Sequence, residues 1–334
     1  MPNIRDVAYL AGVSAGTVSN VLNRPSYVNP DTRRRVQSAI QALGFVPRQR
    51  SRQFRPGRVR NLGIALANLD NPFFVDVALG AESLAKELDV GIVISNSAYD
   101  PVREDQNLEL LVQQRVQGII ISPVDEKSSQ LQALRDRGVP MVFVDRVTAD
   151  RDCWSVVVDD RRGGELGMEH LLDRGHTRIA FVGHPEQSSK VATRLLGARD
   201  AISKHSESPV SLEVLSVESW TVQGGKDAAE ILVARSPELR PTAVFCSNDM
   251  MALGMLQTLD HSGIRVPEDI ALVGYDDLEW AGIAMIPLTT VRQPRRLLGR
   301  TAVEMIMELL DDPNQRIKPR HVVLQPELVI RETT

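Results

Sequence analysis

The chain has 334 residues, enough for two or three domains, and its 43% hydrophobic and 25% charged residues exclude a disordered or fibrous protein. No apolar run approaches the about 20 residues of a membrane span, and the N-terminus has no hydrophobic signal core, so we expect a cytoplasmic protein without membrane contact. The net charge of −4 conceals an asymmetry, because residues 1–60 carry +9 and the remainder carries −13. A small basic segment before a large acidic one predicts a nucleic-acid-binding module joined to a body with another task.

The basic segment carries the apolar spacing of three short helices. Apolar residues at three- and four-residue steps predict a first helix over 4–11, which Gly12 ends. Ser14 can cap a second helix, and the Asn-Pro-Asp-Thr run at 29–32 opens a third that ends near Leu43. Two short helices joined through a glycine are typical of a helix-turn-helix.

The second of these helices is the predicted DNA-reading element, because a helix-turn-helix places its second helix in the major groove. Asn20 can make a bidentate contact with adenine, whereas the smaller residues offer close approach or contacts to phosphate oxygens. The residues of this helix predicted to contact DNA are Ala15, Gly16, Thr17, Ser19, Asn20 and Asn23.

A competing motif occupies the same place. Residues 12–16 match the GxSxG nucleophile elbow of serine hydrolases. That elbow requires a preceding strand in a large sheet, whereas the pattern before Gly12 predicts a helix. The sequence therefore favours DNA binding over hydrolysis, and we predict no catalytic residue.

The segment IRDVAYLAGVSAGTVSNVLNRP, followed by VNPDTRRRVQSAIQALGFVP, resembles the DNA-binding head of the LacI/GalR family of bacterial transcription regulators. The resemblance continues through the whole chain. It implies a helix-turn-helix domain over 1–47, a hinge over 48–60 and a ligand-binding and dimerisation domain over 61–334. In that family the hinge forms a short helix in the minor groove when two subunits sit on their operator DNA.

The predicted hinge departs from the family pattern of an Ala-Arg pair followed one residue later by Leu. This chain has Ser-Arg-Gln-Phe at 51–54. We predict that Phe54 takes the role of the family's leucine and wedges between base pairs, while Arg52 and the neighbouring arginines hold phosphates. The alternative is that Phe54 packs against its symmetry mate.

From Leu62 onward, short apolar runs alternate with helix-length amphipathic stretches, which predicts parallel strands with helices on both faces. The runs form two series: LGIAL, GIVIS, GIIIS and PMVFVD, then SVVVD, RIAFVG, TAVFCSND and IALVGYDD. The predicted fold is therefore α/β, with two doubly wound parallel-sheet lobes after the head. We expect lobe 1 at about 61–159 and 292–320, and lobe 2 at about 160–291 and 321–334.

Polar residues directly follow these strands, where doubly wound sheets bind ligands. The body resembles periplasmic sugar-binding proteins, whose ribose-binding members carry matching groups at these positions. The resemblance implies the following ligand-binding residues: Asn71, Phe73, Phe74, Asp145, Arg146, Arg194, Trp220, Asn248, Asp276 and Gln293.

The chemistry of this set fits a small polyol, since aromatic rings can sandwich a sugar while charged and amide groups bind its hydroxyls. Each residue alone has a structural alternative, such as a core aromatic or a helix cap, and only the joint occurrence favours a site. The resemblance implies a pentose such as D-ribose, because family members with a nucleobase corepressor usually have Trp where this chain has Arg146.

Other features point to neither metal nor cofactor chemistry. His176 and His184 flank a predicted strand without further ligands, and no phosphate-binding loop or dinucleotide fingerprint occurs. Cys153 and Cys246 are isolated, which predicts two small buried residues, not a disulfide or a zinc site.

The function expected from the sequence is a homodimeric repressor of a pentose or ribonucleoside utilisation operon, bound to double-stranded operator DNA and released by its ligand. One alternative is a cytoplasmic sugar-binding or sugar-processing protein. Another is a regulator that uses a metabolite or a partner protein as corepressor.

Overall fold

The computed structural model describes residues 3–23, 28–43, 60–146, 153–205, 209–311 and 320–334. The chain divides into two units, Met1–Arg58 and Val59–Thr334. Arg52 and Phe54 of the predicted hinge lie outside the described residues.

Three helices form the described part of the first unit: α1 (Ile4–Ala11), α2 (Ala15–Asn23) and α3 (Pro30–Leu43). Asn3 caps α1 in a capping box with Asp6, and Gly12 ends this helix in the left-handed conformation at φ 63°. Ser14 caps α2, since its hydroxyl oxygen accepts a hydrogen bond from the Thr17 amide at 3.1 Å. No strand precedes Ser14 in the described part of the head, so the hydrolase motif lacks the context it requires.

The three helices bury one small apolar cluster. It consists of Val7, Ala8, Ala11, Val18, Val21, Val36 and Ala39. The apolar residues at helical spacing in the sequence are therefore the ones that form the core. The predicted helix-turn-helix is confirmed.

The second unit alternates strands and helices. Its first part contains β1 (Arg60–Leu66), α4 (Pro72–Glu87), β2 (Val90–Asn96), α5 (Pro101–Gln113), β3 (Gly118–Ile121), α6 (Ser129–Asp136), β4 (Met141–Val144) and β5 (Trp154–Val158). Its middle part contains α7 (Asp160–Asp173), β6 (Arg178–Val182), α8 (Ser189–Lys204), β7 (Ser211–Leu215), α9 (Val222–Val233), β8 (Ala243–Cys246), α10 (Asp249–His261), β9 (Ala271–Asp276) and α11 (Glu279–Ile283). The last elements are β10 (Thr289–Arg292), α12 (Arg295–Asp311), β11 (His321–Leu324) and β12 (Glu327–Val329).

The strands form two six-stranded sheets. The first has the order β11-β5-β4-β3-β1-β2 and is parallel throughout. The second has the order β12-β10-β9-β8-β6-β7 and is parallel except for β12, which runs antiparallel to β10. Apolar clusters lie on both faces of each sheet, so both lobes are doubly wound and the predicted fold class is confirmed.

The chain passes between the sheets three times, after β5, after β10 and after β11. The first two crossings lie near the predicted lobe boundaries, which stay predictions. The third differs from expectation, because residues 321–324 pair with β5 in the first sheet, whereas we expected the chain to return to lobe 2 at residue 321. β11 has only four residues, which alternate between exposed and half-buried, so its apolar run is too short to be recognised as a strand.

Candidate functional site

Residues that follow strands of both sheets line one cleft with a volume of about 270 Å³. All ten predicted ligand-binding residues lie in its wall, five after strands of the first sheet and five after strands of the second. Their contact with a ligand stays a prediction. The fold brings these distant residues together because the carboxyl ends of the strands in both lobes face the same cleft.

An aromatic wall is built at the start of α4. The side-chain oxygen of Asn71 accepts a hydrogen bond from the Phe73 amide at 3.0 Å, so Asn71 caps the helix and fixes the two rings that follow. The rings of Phe73 and Phe74 meet edge to face with centroids 5.1 Å apart, and both side chains are almost fully buried. Asn71 thus acts as a structural cap while it also lines the cleft.

A second aromatic pair crosses the cleft from lobe to lobe. Tyr99, which follows β2, and Trp220, which follows β7, place their ring centroids 6.0 Å apart. Desolvation, with Asp145 nearby, raises the pKa of Tyr99 to about 12, so its hydroxyl stays protonated at neutral pH. The indole nitrogen of Trp220 is buried and has no hydrogen-bond partner among the described residues.

Asp145 and Arg146 follow β4 and reach the opposite lobe. Asp145 has a left-handed backbone at φ 65° and forms an ion pair with Lys190 of α8. Burial raises the pKa of Asp145, and the ammonium of Lys190 opposes that rise. Arg146 donates to the hydroxyl of Ser189 at 3.1 Å.

Arg194 of α8 is the most constrained cation of the cleft. Its guanidinium donates to Asp160 at 2.7 Å and to the carbonyl of Ser247 at 2.6 Å, and it lies 3.6 Å from the ring centroid of Tyr275. Burial alone would lower the pKa of Arg194, but Asp160 and its neighbours raise it, so the group stays charged. Gly164 of α7 brings the two helices together here, since a Cβ at that position would lie 1.9 Å from the carbonyl oxygen of Arg194.

Asn248 serves mainly as a cap. Its side-chain oxygen accepts from the Met251 amide at 2.8 Å, and its amide nitrogen donates to the carbonyl of Trp220 at 2.9 Å. One amide proton remains for a ligand. The fully buried Asp249 lies beneath it and accepts from the Leu278 amide at 2.7 Å, which ties the start of α10 to the end of β9.

Asp276 and Gln293 face the cleft from the ends of β9 and β10. The Gln293 amide nitrogen donates to Asp276 at 2.6 Å, while the Gln293 side-chain oxygen is buried without a partner among the described residues. Burial raises the pKa of Asp276, and Arg194 and Arg295 oppose that rise. Arg295 also holds Asp76 of α4 at 2.9 Å and the backbone carbonyl of Asp276, so it links the crossing after β10 to both lobes.

In the first unit, the predicted DNA-contacting residues of α2 differ in solvent exposure. Gly16 and Asn20 are exposed, whereas Ala15, Thr17 and Ser19 are half-buried. The Thr17 hydroxyl lies 2.9 Å from the Ser14 hydroxyl, so it is partly engaged within the turn. Asn23 belongs to the last turn of α2.

Known proteins resemble both units of the chain. Residues 3–48 match the bacterial regulatory proteins of the lacI family, and residues 168–334 match the periplasmic binding protein-like domain. The ribose operon repressor of Escherichia coli strain K12 is 33% identical over 333 residues, which cover 99% of this chain and 99% of that protein. The chain belongs to the LacI family of bacterial regulatory proteins.

Two further comparisons extend this result. The HTH-type transcriptional repressor PurR of Photobacterium profundum is 31% identical over 339 residues, covering 100% of this chain and 98% of the relative. A solved structure of the lac repressor dimer, bound to operator and the anti-inducer ONPF, is also similar. Its sequence is 30% identical to this chain, the match covers 99% of this chain and 98% of that chain, and the TM-score is 0.77. The predicted function class, a ligand-responsive DNA-binding repressor of the LacI family, is confirmed.

The cleft of this LacI-family repressor also contains residues that sequence reasoning missed, chiefly Tyr99 and Lys190. Tyr99 follows the predicted strand GIVIS, so the strand-end rule would have found it had it been applied to that strand. Lys190 lies at the start of a helix, and no sequence pattern indicated that its side chain turns to the opposite lobe.

The two histidines singled out by the sequence differ, because His176 has a hydrogen-bond partner whereas the buried Nδ1 of His184 has none among the described residues. The ring of His176 lies 3.0 Å from the Thr242 hydroxyl, at the start of β6. Within the described ranges of the chain, no group of three or more His, Cys, Asp or Glu residues could hold a metal ion. None of the helices that the structure describes is long and apolar enough to cross a membrane.

Proposed function

We propose that this LacI-family repressor is a homodimer that controls a pentose or ribonucleoside utilisation operon, and that a pentose bound in the cleft releases it from operator DNA. D-Ribose is the leading candidate for the effector. The observation that carries the proposal is the convergence of ten predicted sugar-binding residues, from both lobes, on one cleft. The name of the 33% identical ribose operon repressor supports the same effector class.

The unpaired groups of the cleft favour a polyol. The Gln293 side-chain oxygen needs a donor and the Trp220 indole nitrogen needs an acceptor, and both are buried without partners among the described residues. A hydroxyl is both donor and acceptor, so a ligand with several hydroxyls can satisfy both. Phe73 and Phe74 supply apolar surface for the faces of the ring.

The switch follows from the two-lobed site. Asn71, Phe73 and Asp145 come from the first lobe, whereas Arg194, Trp220 and Asp276 come from the second, so a ligand that touches both favours the closed arrangement. The first lobe continues directly into the predicted hinge, where we expect Arg52 and Phe54 to contact the operator. Closure that moves the two hinges of a dimer would weaken their minor-groove contacts.

Titration of operator DNA against D-ribose tests this proposal. By linkage, sugar and DNA must weaken each other by the same factor, which we expect to be about 5- to 150-fold. Fluorescence anisotropy of a labelled promoter fragment, at constant salt, measures it. If ribose raises the affinity for operator DNA, ribose is a corepressor and not an inducer. If a purine changes that affinity and no pentose or nucleoside does, the effector is a purine.

Asn20→Ala tests the proposed DNA interface. Because Asn20 is exposed on α2 and its amide can pair with an adenine edge, its loss should relax base preference at one position of each half-site, by about 1–3 kcal/mol against the cognate base. Thr17→Val is the comparison variant, since Thr17 is predicted to contact phosphate and not a base, so its loss should leave the base preference of each half-site unchanged. A loss of affinity equal for every operator variant would make Asn20 a phosphate contact.

A further inference from the structure

Lys190 extends from the second lobe to two groups of the first. Its ammonium forms an ion pair with Asp145 and lies 4.9 Å from the ring centroid of Phe73. Both partners are residues that the proposed function assigns to the sugar. One side chain of α8 therefore holds an acid and an aromatic face of the opposite wall at the same time.

Those two contacts are the ones that a sugar would make. A buried carboxylate needs a cation or hydrogen-bond donor, and a ring face attracts either an ammonium or the apolar face of a sugar. Asp145 is 5% exposed and Phe73 is 3% exposed, so little of either is available beyond the part that Lys190 covers. An ammonium and a sugar cannot both occupy that part fully.

We propose that Lys190 is an internal competitor for the effector and thereby determines the affinity and specificity of the cleft. Its ammonium occupies the position at Asp145 that a sugar hydroxyl would take, and the effector binds by displacing it. A ligand without a hydroxyl for Asp145 would break the Lys190–Asp145 ion pair and form no hydrogen bond in its place. Such a ligand should therefore bind weakly. This inference rests on the proposed pentose effector.

Lys190→Met removes the ammonium and keeps the apolar stem. Asp145 then has no cation to lose, so D-ribose should bind about 10- to 100-fold tighter, the factor that one hydrogen bond to a charged group contributes. Lys204→Met is the matched control, because Lys204 lies on the same helix, is 66% exposed and pairs with Glu165 at 3.2 Å, away from the cleft. Calorimetry with the full chain should give that control the affinity of the unmodified protein.

Two more variants separate competition from a purely structural role. Lys190→Arg keeps a cation against Asp145, so it should bind D-ribose more weakly than Lys190→Met does. Lys190→Gln leaves Asp145 a neutral donor, so it should give a smaller gain in the same direction, and it replaces Lys190→Met where that variant does not fold. Thermal unfolding of every variant identifies those that fold.

Three results would overturn the inference. If the unmodified protein binds ribose and Lys190→Met binds it equally or more weakly, Lys190 does not compete with the effector, whereas the proposed pentose effector is retained. Tighter binding of D-ribose 5-phosphate than of D-ribose, lost in Lys190→Met, makes Lys190 an anion receptor instead. Absence of ribose binding by the unmodified protein and by all three Lys190 variants removes the pentose effector itself.

Discussion

Arg194→Met is expected to lower the free energy of unfolding of the ligand-binding unit by about 3–5 kcal/mol, because it removes one partner of a buried ion pair. Asp160 would lose the donor it holds at 2.7 Å, and the carbonyl of Ser247 would lose the donor at 2.6 Å. Methionine fills part of the volume but offers neither hydrogen bond. A loss of this size is a large share of the about 5–15 kcal/mol of a typical domain.

The same variant should lose effector binding by about 10- to 100-fold, because a charged hydrogen bond to a hydroxyl contributes about 1.5–3 kcal/mol. Arg161→Met is the matched control, since Arg161 joins α7 to Asp200 of α8 at 2.6 Å but is 54% exposed. Exposed pairs of this kind contribute little to stability. Equal urea midpoints for the two variants would contradict the structural role assigned to Arg194.

The sequence predicted the architecture because apolar periodicity is a local property. Val7, Ala8, Val18 and Val36 of the head were recognisable by spacing alone, and they form its buried core. The alternation of strands and helices likewise predicted two doubly wound sheets. Polar residues at the strand ends indicated part of the candidate cleft, and the resemblance to sugar-binding proteins added Arg194, Trp220 and Gln293.

Contacts between distant segments were beyond local patterns. The ion pair of Lys190 with Asp145 joins residues 45 positions apart on different lobes, and β11 begins 163 residues after the end of β5, the strand it pairs with. Asn248 shows a second limit, because a residue that lines a cleft can spend its hydrogen bonds on a helix cap and on the Trp220 carbonyl. Sequence pattern identifies a position, and only geometry gives the free bonding capacity of its side chain.

Asp276→Asn is expected to separate stability from effector binding. The variant keeps an oxygen that can accept from Gln293, now 2.6 Å from the carboxylate, but it removes a charge from a buried site. Ribose affinity should fall by about 10- to 100-fold, because a charged acceptor for a sugar hydroxyl becomes a neutral one. The free energy of unfolding at pH 7 should stay the same or rise.

The sign of the stability change follows from the pKa. Burial raises the pKa of Asp276 above that of the unfolded chain, although Arg194 and Arg295 oppose the rise. Between the two pKa values the folded protein holds more protons than the unfolded chain, so its stability falls as pH rises through that window. The amide does not titrate, and the variant therefore lacks this part of the decline.

Asp269 provides the opposite case within the same lobe. Hydrogen bonds from the side chain and backbone of Arg265 lower the pKa of Asp269 to about 2, so its contribution to stability is present above its unfolded pKa and is lost as pH falls. Asp269→Asn should therefore weaken the fold slightly at pH 7 and leave ribose affinity unchanged. Chemical unfolding of both variants between pH 2 and pH 8, paired with calorimetry at pH 7, measures the contrast. A fall in stability at pH 7 for Asp276→Asn, with ribose affinity retained, would assign Asp276 to the fold and not to the effector.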